Sequence, residues 1–281
     1  MGEAIARNLL AAGHRVTGYD TNAARRQALA DMGGEPHGSA AAAAARAEFI
    51  LTSLPSAAAL DVTVASLLGT PPEARVLAEL STLPIADKER SRSALAAAGI
   101  TMLDCPLSGT GAQAASADLA VYASGERSAY DRIAPVFAGF ARICHHLGAF
   151  GNGSRMKFVA NLLVAIHNVA SAEAMVLGTE AGLDPAQIVE VISSGAGNSR
   201  IFELRAPMMA RGQYQPASMK IDIWQKDMAI IAEFARALGV ATPLFDASAP
   251  IYDQAVDSGL GGQDTAAVCR VLQRWANRGP V

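Results

Sequence analysis

Two polar side chains lie near the start of a long apolar stretch of the sequence. Lys157 and Asn161 are four residues apart, and no charged residue occurs between Lys157 and Glu173. If the stretch is helical, the two side chains point the same way, one turn above the other. Burial favours the neutral form of an amine, so a lysine beside apolar side chains is a candidate for proton exchange. The alternative is a lysine that extends its ammonium from the mouth of a buried helix to water.

Two predicted strands are followed by polar residues that suit a nucleotide. Asp20 ends the strand 14–20, where an acid in a dinucleotide-binding sheet accepts a hydrogen bond from the ribose 2′-hydroxyl of NAD and repels the 2′-phosphate of NADP. Thr82 follows the strand 74–80 and offers a hydroxyl at the same edge. Each has a structural alternative, because Asp20 suits a turn and Ser81 or Thr82 suits a helix cap.

Two further polar pairs are candidates for binding. Ser108 and Gly109 follow a strand and a proline, so the hydroxyl and the backbone N–H groups could hold a carboxylate, or could form only a glycine-rich turn. Lys226 and Asp227 lie in a predicted helix, where adjacent charges usually form a solvated face. The five histidines and three cysteines show no metal-ligand spacing, so we expect no metal site and reduced cysteines.

Short strands alternate with helices in the first half of the chain, and this pattern is typical of βαβ units that build a parallel sheet. The predicted strands are 14–20, 48–54, 74–80, 100–104, 119–123 and 141–145, and the predicted helices are 3–12, 23–32, 40–46, 57–67 and 85–98. After Gly148 only helices are predicted: one within 151–184, then 185–194, 200–211, 222–238, 246–258 and 264–276. We therefore expect a dinucleotide-binding α/β domain over 1–150. A helical domain over 151–281 follows, and it begins with a long interdomain helix.

Composition narrows the class of protein. The chain has 281 residues, 51% of them hydrophobic, and a formal net charge of −3 without a run of Lys or Arg, which argues against nucleic acid or an anionic membrane as a partner. No signal peptide is predicted, so a cytoplasmic location is expected. The long helix is apolar on several faces and is predicted to be buried. Its uncharged run 158–172 is too short to be a membrane span.

Four segments together resemble the β-hydroxyacid dehydrogenase family. This family includes 3-hydroxyisobutyrate dehydrogenases and tartronate semialdehyde reductases and is related to 6-phosphogluconate dehydrogenase. Asp104 to Gly109 (DCPLSG) resembles its substrate-binding D-x-P-[VL]-S-G, and Gly151 to Asn161 is similar to its catalytic G-x-G-x-x-x-K-x-x-x-N. The pairs Leu54-Pro55, Ser81-Thr82 and Lys226-Asp227 resemble its L-P, S-T and K-D pairs.

The resemblance implies a Rossmann-type domain followed by an all-helical domain, and an enzyme that interconverts a small 3-hydroxy acid and its semialdehyde or keto form. It implies that Lys157 is the general acid/base, that Asn161 helps to hold the substrate, and that Ser108 and Gly109 bind its carboxylate. Lys226 would lie near the nicotinamide and the substrate. The implied cofactor is NAD or NADP, with NAD favoured by Asp20, and its contacts would come from Gly2, Asp20, Leu54, Pro55, Thr82 and Lys226. A homodimer or homotetramer is also expected.

Three departures from the family pattern bear on these expectations. Thr110 stands where the family has a second glycine, and Ala160 replaces a residue that is often Asn. The family begins with a strand and a G-x-G-x-M-G loop, of which the chain retains only Met1-Gly2. We expect Met1 to be an internal methionine of a protein longer by about ten residues, with 15–20 and 74–80 left with unpaired edges. The alternatives to a 3-hydroxyisobutyrate dehydrogenase-like enzyme are a tartronate semialdehyde (2-hydroxy-3-oxopropionate) reductase and a non-catalytic nucleotide-binding relative.

Overall fold

The computed structural model describes residues 1–69 and 75–278. The chain forms two compact units, Met1–Lys157 and Phe158–Val281. The predicted boundary at residue 150 separates a dinucleotide-binding domain from a helical domain, and that functional division stays a prediction.

The first unit alternates strands and helices, as the sequence pattern predicts. Its helices are α1 (Gly2–Ala11), α2 (Ala23–Asp31), α3 (Ala40–Ala44), α4 (Ala57–Gly69), α5 (Ile85–Ala97), α6 (Gly111–Ala115) and α7 (Arg127–Ala138). Its strands are β1 (Thr17–Gly18), β2 (Glu35–Pro36), β3 (Phe49–Thr52), β4 (Val76–Glu79), β5 (Thr101–Asp104), β6 (Leu107–Ser108), β7 (Leu119–Ala123) and β8 (Ala141–His146). The short elements β2, β6 and α6 and the helix α7 were not predicted.

The strands pair in three groups. β1 pairs with β2 in parallel, and β3, β4 and β5 form a parallel sheet in that order. β7 pairs with β8 in parallel and with β6 in antiparallel fashion, and a single antiparallel bridge joins Asp104 to Ser124. β6, which was not predicted, thus adds one antiparallel strand to the predicted parallel pattern. The expectation of an unpaired edge at 74–80 is wrong, since β4 is paired on both sides.

Both faces of the parallel sheet are covered. Val76 and Ala78 belong to a buried cluster with residues of α1 and α7, whereas Leu77 and Met102 belong to a second cluster with residues of α4 and α5. Successive side chains of a strand point to opposite faces, so this division places helices on both sides of the sheet. The loops that follow the strands are then the exposed edge at which a ligand can bind.

The second unit is helical, as predicted. The long helix α8 (Asn152–Glu180) begins in the first unit and is followed by α9 (Pro185–Ser193), α10 (Arg200–Arg211), α11 (Ile221–Ala237), α12 (Pro243–Asp257), a 3₁₀ helix (Thr265–Ala267) and α13 (Val268–Arg278). Asn168 on α8 donates hydrogen bonds of 2.9 Å to the Tyr252 hydroxyl and to the Thr265 carbonyl. These bonds fix α8 against α12 and the 3₁₀ helix.

The prediction that α8 is buried on all sides is wrong for one face. Phe158, Ala165 and Ala172 are buried, but Val159 is 55% exposed and Leu177 is 73% exposed. By length and composition alone the helix could also cross a membrane, a criterion that the core helix of a globular protein meets as well. The exposed side of α8 is therefore an apolar surface on the second unit.

Candidate active site

The loops after β3 and β4 lie side by side at the sheet edge. The Leu54 N–H donates to the Ser81 hydroxyl at 2.7 Å, and the Leu80 N–H donates to the Thr52 carbonyl at 2.8 Å. Pro84 is the N-cap residue of α5 and makes no side-chain cap hydrogen bond, so the N-cap position that the sequence suggested for Ser81 or Thr82 is taken by Pro84. The structure thus brings together two of the predicted cofactor segments, Leu54-Pro55 and Ser81-Thr82.

Asp20 follows β1 and is exposed. Its Oδ1 accepts the Asn22 N–H at 2.8 Å, which is the turn role that the sequence left open. Arg26 donates to the Asp20 carbonyl at 2.6 Å, and Arg25 pairs with Glu3. Within the described ranges no hydrogen bond reaches the other carboxylate oxygen of Asp20, so the turn role does not use up the carboxylate. Gly2, the remaining cofactor candidate of this region, begins α1.

The segment Ser108 to Thr110 forms the end of a strand and the start of a helix. Ser108 pairs with Ala120 of β7 and is half-buried. Gly109 has a φ of +137°, a conformation that favours glycine. Thr110 caps α6: its hydroxyl accepts the Gln113 N–H at 3.4 Å, and its own N–H donates to the Gln113 side chain at 3.0 Å. The departure at residue 110 therefore has a local structural reason, a capping box.

The start of α8 is packed directly on the ends of β5 and β7. The Ser154 N–H and hydroxyl both donate to the Asp104 carboxylate at 2.7 Å, and the Gly153 N–H donates to the Ser124 hydroxyl at 2.9 Å. Lys157 follows one turn later and is only 9% exposed. Three residues correspond to a rise of about 4.5 Å along a helix. The anchoring contacts therefore lie close to the candidate acid/base.

Sequence reasoning missed a group of charged side chains behind this contact. Lys88, Glu79 and Asp104 are all 0% exposed, and the Lys88 ammonium lies 2.6 Å from Glu79 and 2.8 Å from Asp104. The only signal in the sequence was that Asp104 ends a predicted strand and that Glu79 is the last residue but one of another. Lys88 itself lies among Asp87, Glu89 and Arg90 and resembles a residue of a solvated helix face.

The second unit holds the other candidates. The Asn161 amide donates to Asp227 Oδ2 at 2.9 Å, and Lys226 Nζ lies 3.4 Å from Asp227 Oδ1. Asn161 and Asp227 are buried, so a solvated face, the usual arrangement for an adjacent charged pair, is wrong for Asp227. The Lys226 side chain is 34% exposed. Asp227 thus contacts both candidate binding residues, although the sequence assigned it no role. Because α8 is continuous, Lys157 and Asn161 are one helical turn apart.

Two cavities lie elsewhere. A cavity of about 300 Å³ in the first unit is lined by Arg92, Met102, Glu126 and Phe150, among others, and one of about 260 Å³ in the second unit is lined by His167, Ser171, Asn198 and Phe202, among others. Their described linings include none of the candidate residues. No group of three His, Cys, Asp or Glu side chains that could hold a metal occurs in the part of the chain that the structure describes.

Comparison with known proteins identifies the family. Residues 1–148 match the model of the NAD binding domain of 6-phosphogluconate dehydrogenase, and residues 151–272 match that of the NAD-binding domain of NADP-dependent 3-hydroxyisobutyrate dehydrogenase. The chain belongs to the β-hydroxyacid dehydrogenase family. This β-hydroxyacid dehydrogenase is 36% identical over 277 residues to the L-threonate dehydrogenase of Cupriavidus necator, with 97% of this chain and 93% of the relative covered.

Two further comparisons agree. The 3-sulfolactaldehyde reductase of Escherichia coli K12 is 32% identical over 276 residues, which cover 95% of this chain and 91% of that protein. The structure of Mycobacterium tuberculosis 3-hydroxyisobutyrate dehydrogenase with L-serine superposes with a TM-score of 0.87 at 28% identity, covering 97% of this chain and 96% of that one.

These findings confirm the predicted family, fold class, enzyme class and cofactor type. The β-hydroxyacid dehydrogenase is an NAD(P)-dependent 3-hydroxyacid dehydrogenase that uses NAD or NADP. The alternative of a non-catalytic relative is therefore set aside. The roles of individual residues are not decided by the comparisons and stay predictions.

Proposed function

We propose that the enzyme interconverts a 3-hydroxy acid resembling 3-hydroxyisobutyrate and its semialdehyde, with Lys157 as the general acid/base. One observation supports this proposal more than any other. Lys157 is buried one turn after a helix start that is fixed on the end of β5, and Asn161 follows it by one further turn. A proton-transfer group must be held within hydrogen-bond reach of the reacting oxygen, and a rigid, anchored helix turn suits that requirement.

The sheet edge fits a dinucleotide. The adjoining loops after β3 and β4 present Pro55 and Thr82, and Asp20 retains a carboxylate oxygen for a ribose hydroxyl. When NAD(P) is bound, it takes up the hydride that leaves the alcohol carbon, or returns it in the reverse reaction. We propose that NAD is preferred, because a carboxylate at Asp20 repels the 2′-phosphate of NADP.

The proton is transferred separately from the hydride, to or from Lys157. In oxidation the neutral Lys157 amine accepts the proton of the substrate hydroxyl, so that the C–O bond becomes a carbonyl as the hydride departs. In reduction the Lys157 ammonium donates that proton to the carbonyl oxygen. Lys157 thus ends each turnover in the opposite protonation state and is reset by exchange with water.

The substrate is held by its carboxylate and its hydroxyl. We assign the carboxylate to the Ser108 hydroxyl and the Gly109 N–H, and the oxygen at the reacting carbon to the Asn161 amide, which Asp227 orients through their 2.9 Å hydrogen bond. Lys226 is paired with the Asp227 carboxylate, and its ammonium adds a positive charge that attracts an anionic substrate. The relatives are named for different substrates, and tartronate semialdehyde stays the alternative to the 3-hydroxyisobutyrate pair.

Self-association and location are further parts of the proposal. The exposed apolar residues of α8, Val159, Leu163 and Leu177, form a surface that a second copy of the chain would cover, which supports a homodimer or homotetramer. A cytoplasmic location is consistent with the reducing environment that three free cysteines require.

The test is turnover of a substrate panel by variants of Lys157. The panel is 3-hydroxyisobutyrate, L-threonate, 3-sulfolactaldehyde and tartronate semialdehyde, each with NAD(H) and NADP(H). Lys157→Ala should lower kcat by about 10²- to 10⁴-fold, and Lys157→Arg should fail as well, because guanidinium does not release its proton near neutrality. Lys220→Ala, which removes an exposed lysine, is the control. If Lys157→Ala keeps more than roughly a tenth of the wild-type kcat, the acid/base assignment is wrong.

A further inference from the structure

Lys88 is an ammonium enclosed within the first unit. Its Nζ donates hydrogen bonds to the Ser81 carbonyl at 2.7 Å and to Asp104 Oδ1 at 2.8 Å, and it forms an ion pair with Glu79 Oε2 at 2.6 Å. Glu79 in turn accepts the Ser81 N–H at 2.9 Å. The ammonium therefore ties together the ends of β4 and β5. These four residues face neither of the two cavities, and they have no part in the proton transfer proposed above.

The cluster continues into the first turn of α8. Asp104 accepts the Lys88 ammonium and the Ser154 hydroxyl on Oδ1, and the Ser154 N–H and the Ser124 hydroxyl on Oδ2. The first N–H groups of a helix have no partner within the helix, and negative charge is favoured at that end. Asp104 supplies both the acceptor and the charge from a strand that lies 50 residues earlier in the chain.

The approach of helix and strand is as close as the backbone permits. A Cβ added at Gly153 would lie 2.2 Å from the Tyr122 carbonyl oxygen and 2.7 Å from that of Asp104. Both neighbours are backbone atoms and cannot rotate away. The start of α8 thus has one position relative to the ends of β5 and β7, and the hydrogen bonds of Ser154 fix its rotation.

We propose that Lys88, Glu79 and Asp104 are positioning residues that act through Ser154 to hold Lys157 at the reacting oxygen. The inference rests on the proposed role of Lys157. The two oxygens of Asp104 face the Lys88 ammonium, the hydroxyl and N–H of Ser154, and the Ser124 hydroxyl. Lys88 brings the opposite charge to this carboxyl group where water does not reach.

The charge state of Lys88 agrees with this role. Burial alone would lower the Lys88 pKa, but the attraction of Glu79 and Asp104 outweighs burial and raises it above the usual value of 10.5. Lys88 is therefore a cation at every pH below 10.5. It balances one of the two buried carboxylates, and the hydrogen bonds of Ser81, Ser124 and Ser154 stabilise the remaining negative charge.

The experiment is kinetic and uses a variant that leaves all three charges in place. Ser154→Ala removes only the hydroxyl bond to Asp104, and the backbone N–H bond remains. Ser91→Ala is the matched control, since Ser91 is a buried serine of the same unit whose hydroxyl has no partner within the described residues. Both variants and Lys157→Ala are assayed with the best substrate of the panel, protiated and deuterated at the reacting carbon. Active sites are counted by cofactor binding.

Positioning and stability give different results. If Ser154 positions Lys157, Ser154→Ala lowers kcat per active site about tenfold, leaves the cofactor KM within about twofold, and keeps or raises the deuterium isotope effect, because the chemical step is slowed. Ser91→Ala matches the wild type. If Ser154 only supports the fold, kcat per active site is unchanged, and the positioning role is overturned. If Lys157→Ala is itself active, the acid/base assignment fails and the positioning role fails with it. An inactive Lys157→Ala beside a fully active Ser154→Ala overturns the positioning role alone.

Discussion

Replacing Lys88 by methionine should destabilise the first unit strongly. Methionine has nearly the same length and keeps the apolar contacts of the lysine chain, so the change removes the ammonium and little else. In the wild type one positive and two negative charges share a site that is 0% exposed. In Lys88→Met the carboxylates of Glu79 and Asp104 remain buried without an opposite charge. The Ser81 carbonyl also loses its 2.7 Å donor.

The magnitude follows from the loss of one partner of a buried ion pair, which typically costs about 3 to 5 kcal/mol. A unit of about 150 residues then loses roughly 6 to 20 °C in its unfolding midpoint. The raised Lys88 pKa means that the stability from its charge is complete below pH 10.5 and is lost only as pH rises above that value. The difference from the wild type should therefore be constant from pH 7 to 9.

Calorimetry and circular dichroism measure the loss of stability, and tryptophan fluorescence reports whether the second unit unfolds together with the first. Trp224 and Trp275 are the two tryptophans of the chain, and both lie in the second unit. Lys220→Met, at an exposed lysine, should stay within about 0.5 kcal/mol of the wild type. A Lys88→Met protein that loses less than about 1 kcal/mol would refute the account of the buried cluster.

Two further predictions concern the cofactor and the thiols. Wild-type kcat/KM should favour NAD over NADP, and Asp20→Ala should reduce that preference; a preference for NADP that Asp20→Ala leaves unchanged would remove Asp20 from the site. Burial raises the pKa of Cys269 and of Cys144 to about 11 and that of Cys105 well above its usual range. A disulfide reagent at pH 8 should therefore react slowly with the native protein and with three thiols after unfolding, and rapid titration of a native thiol would contradict the burial.

Local patterns in the sequence predicted most elements of the fold. The strand 119–123 and the helix 200–211 have the predicted bounds, because alternation and helical periodicity, with Ser199 as cap and Gly212 after the end, mark them clearly. Helix α7 was not predicted, and Pro135 inside it is not the reason, because the helix 200–211 was predicted with Pro207 inside it. Strand β6 was missed because two residues between a proline and a glycine carry no periodicity, and only its pairing with β7 makes it a strand.

The site residues that lie in short sequence motifs could be predicted from the sequence. The spacing of Lys157 and Asn161 and the segment Asp104 to Gly109 pointed to a family, and the family was correct. The charges behind these motifs could not be read in the same way. Burial of Lys88 depends on α5 packing over the ends of β4 and β5, which is a tertiary arrangement. From its neighbours alone, Lys88 resembles an exposed lysine.

The departure at Thr110 shows why a residue is better judged by its contacts than by its difference from a pattern. The sequence raised doubt about the carboxylate pocket because a side chain stands where the family has glycine. In the structure the hydroxyl caps α6 and the backbone N–H bonds to Gln113, so both polar groups of Thr110 are used within the first turn of the helix. The side chain of Thr110 therefore gives no reason to expect a different substrate, and in the proposed site substrate choice depends on Ser108 and Gly109.

Asp104 gives a physical reason for the joint occurrence of two motifs that are far apart in the chain. It is the first residue of the segment that resembles the substrate-binding motif, and its carboxylate receives the first turn of the segment that resembles the catalytic motif. The glycine at 153 is then required by the close approach of the two backbones, and the serine at 154 by the carboxylate. A change at Asp104 would therefore disturb Ser108 through the strand that follows and Lys157 through the helix. Substrate binding and proton transfer should fail together there, whereas Ser154→Ala should affect proton transfer alone.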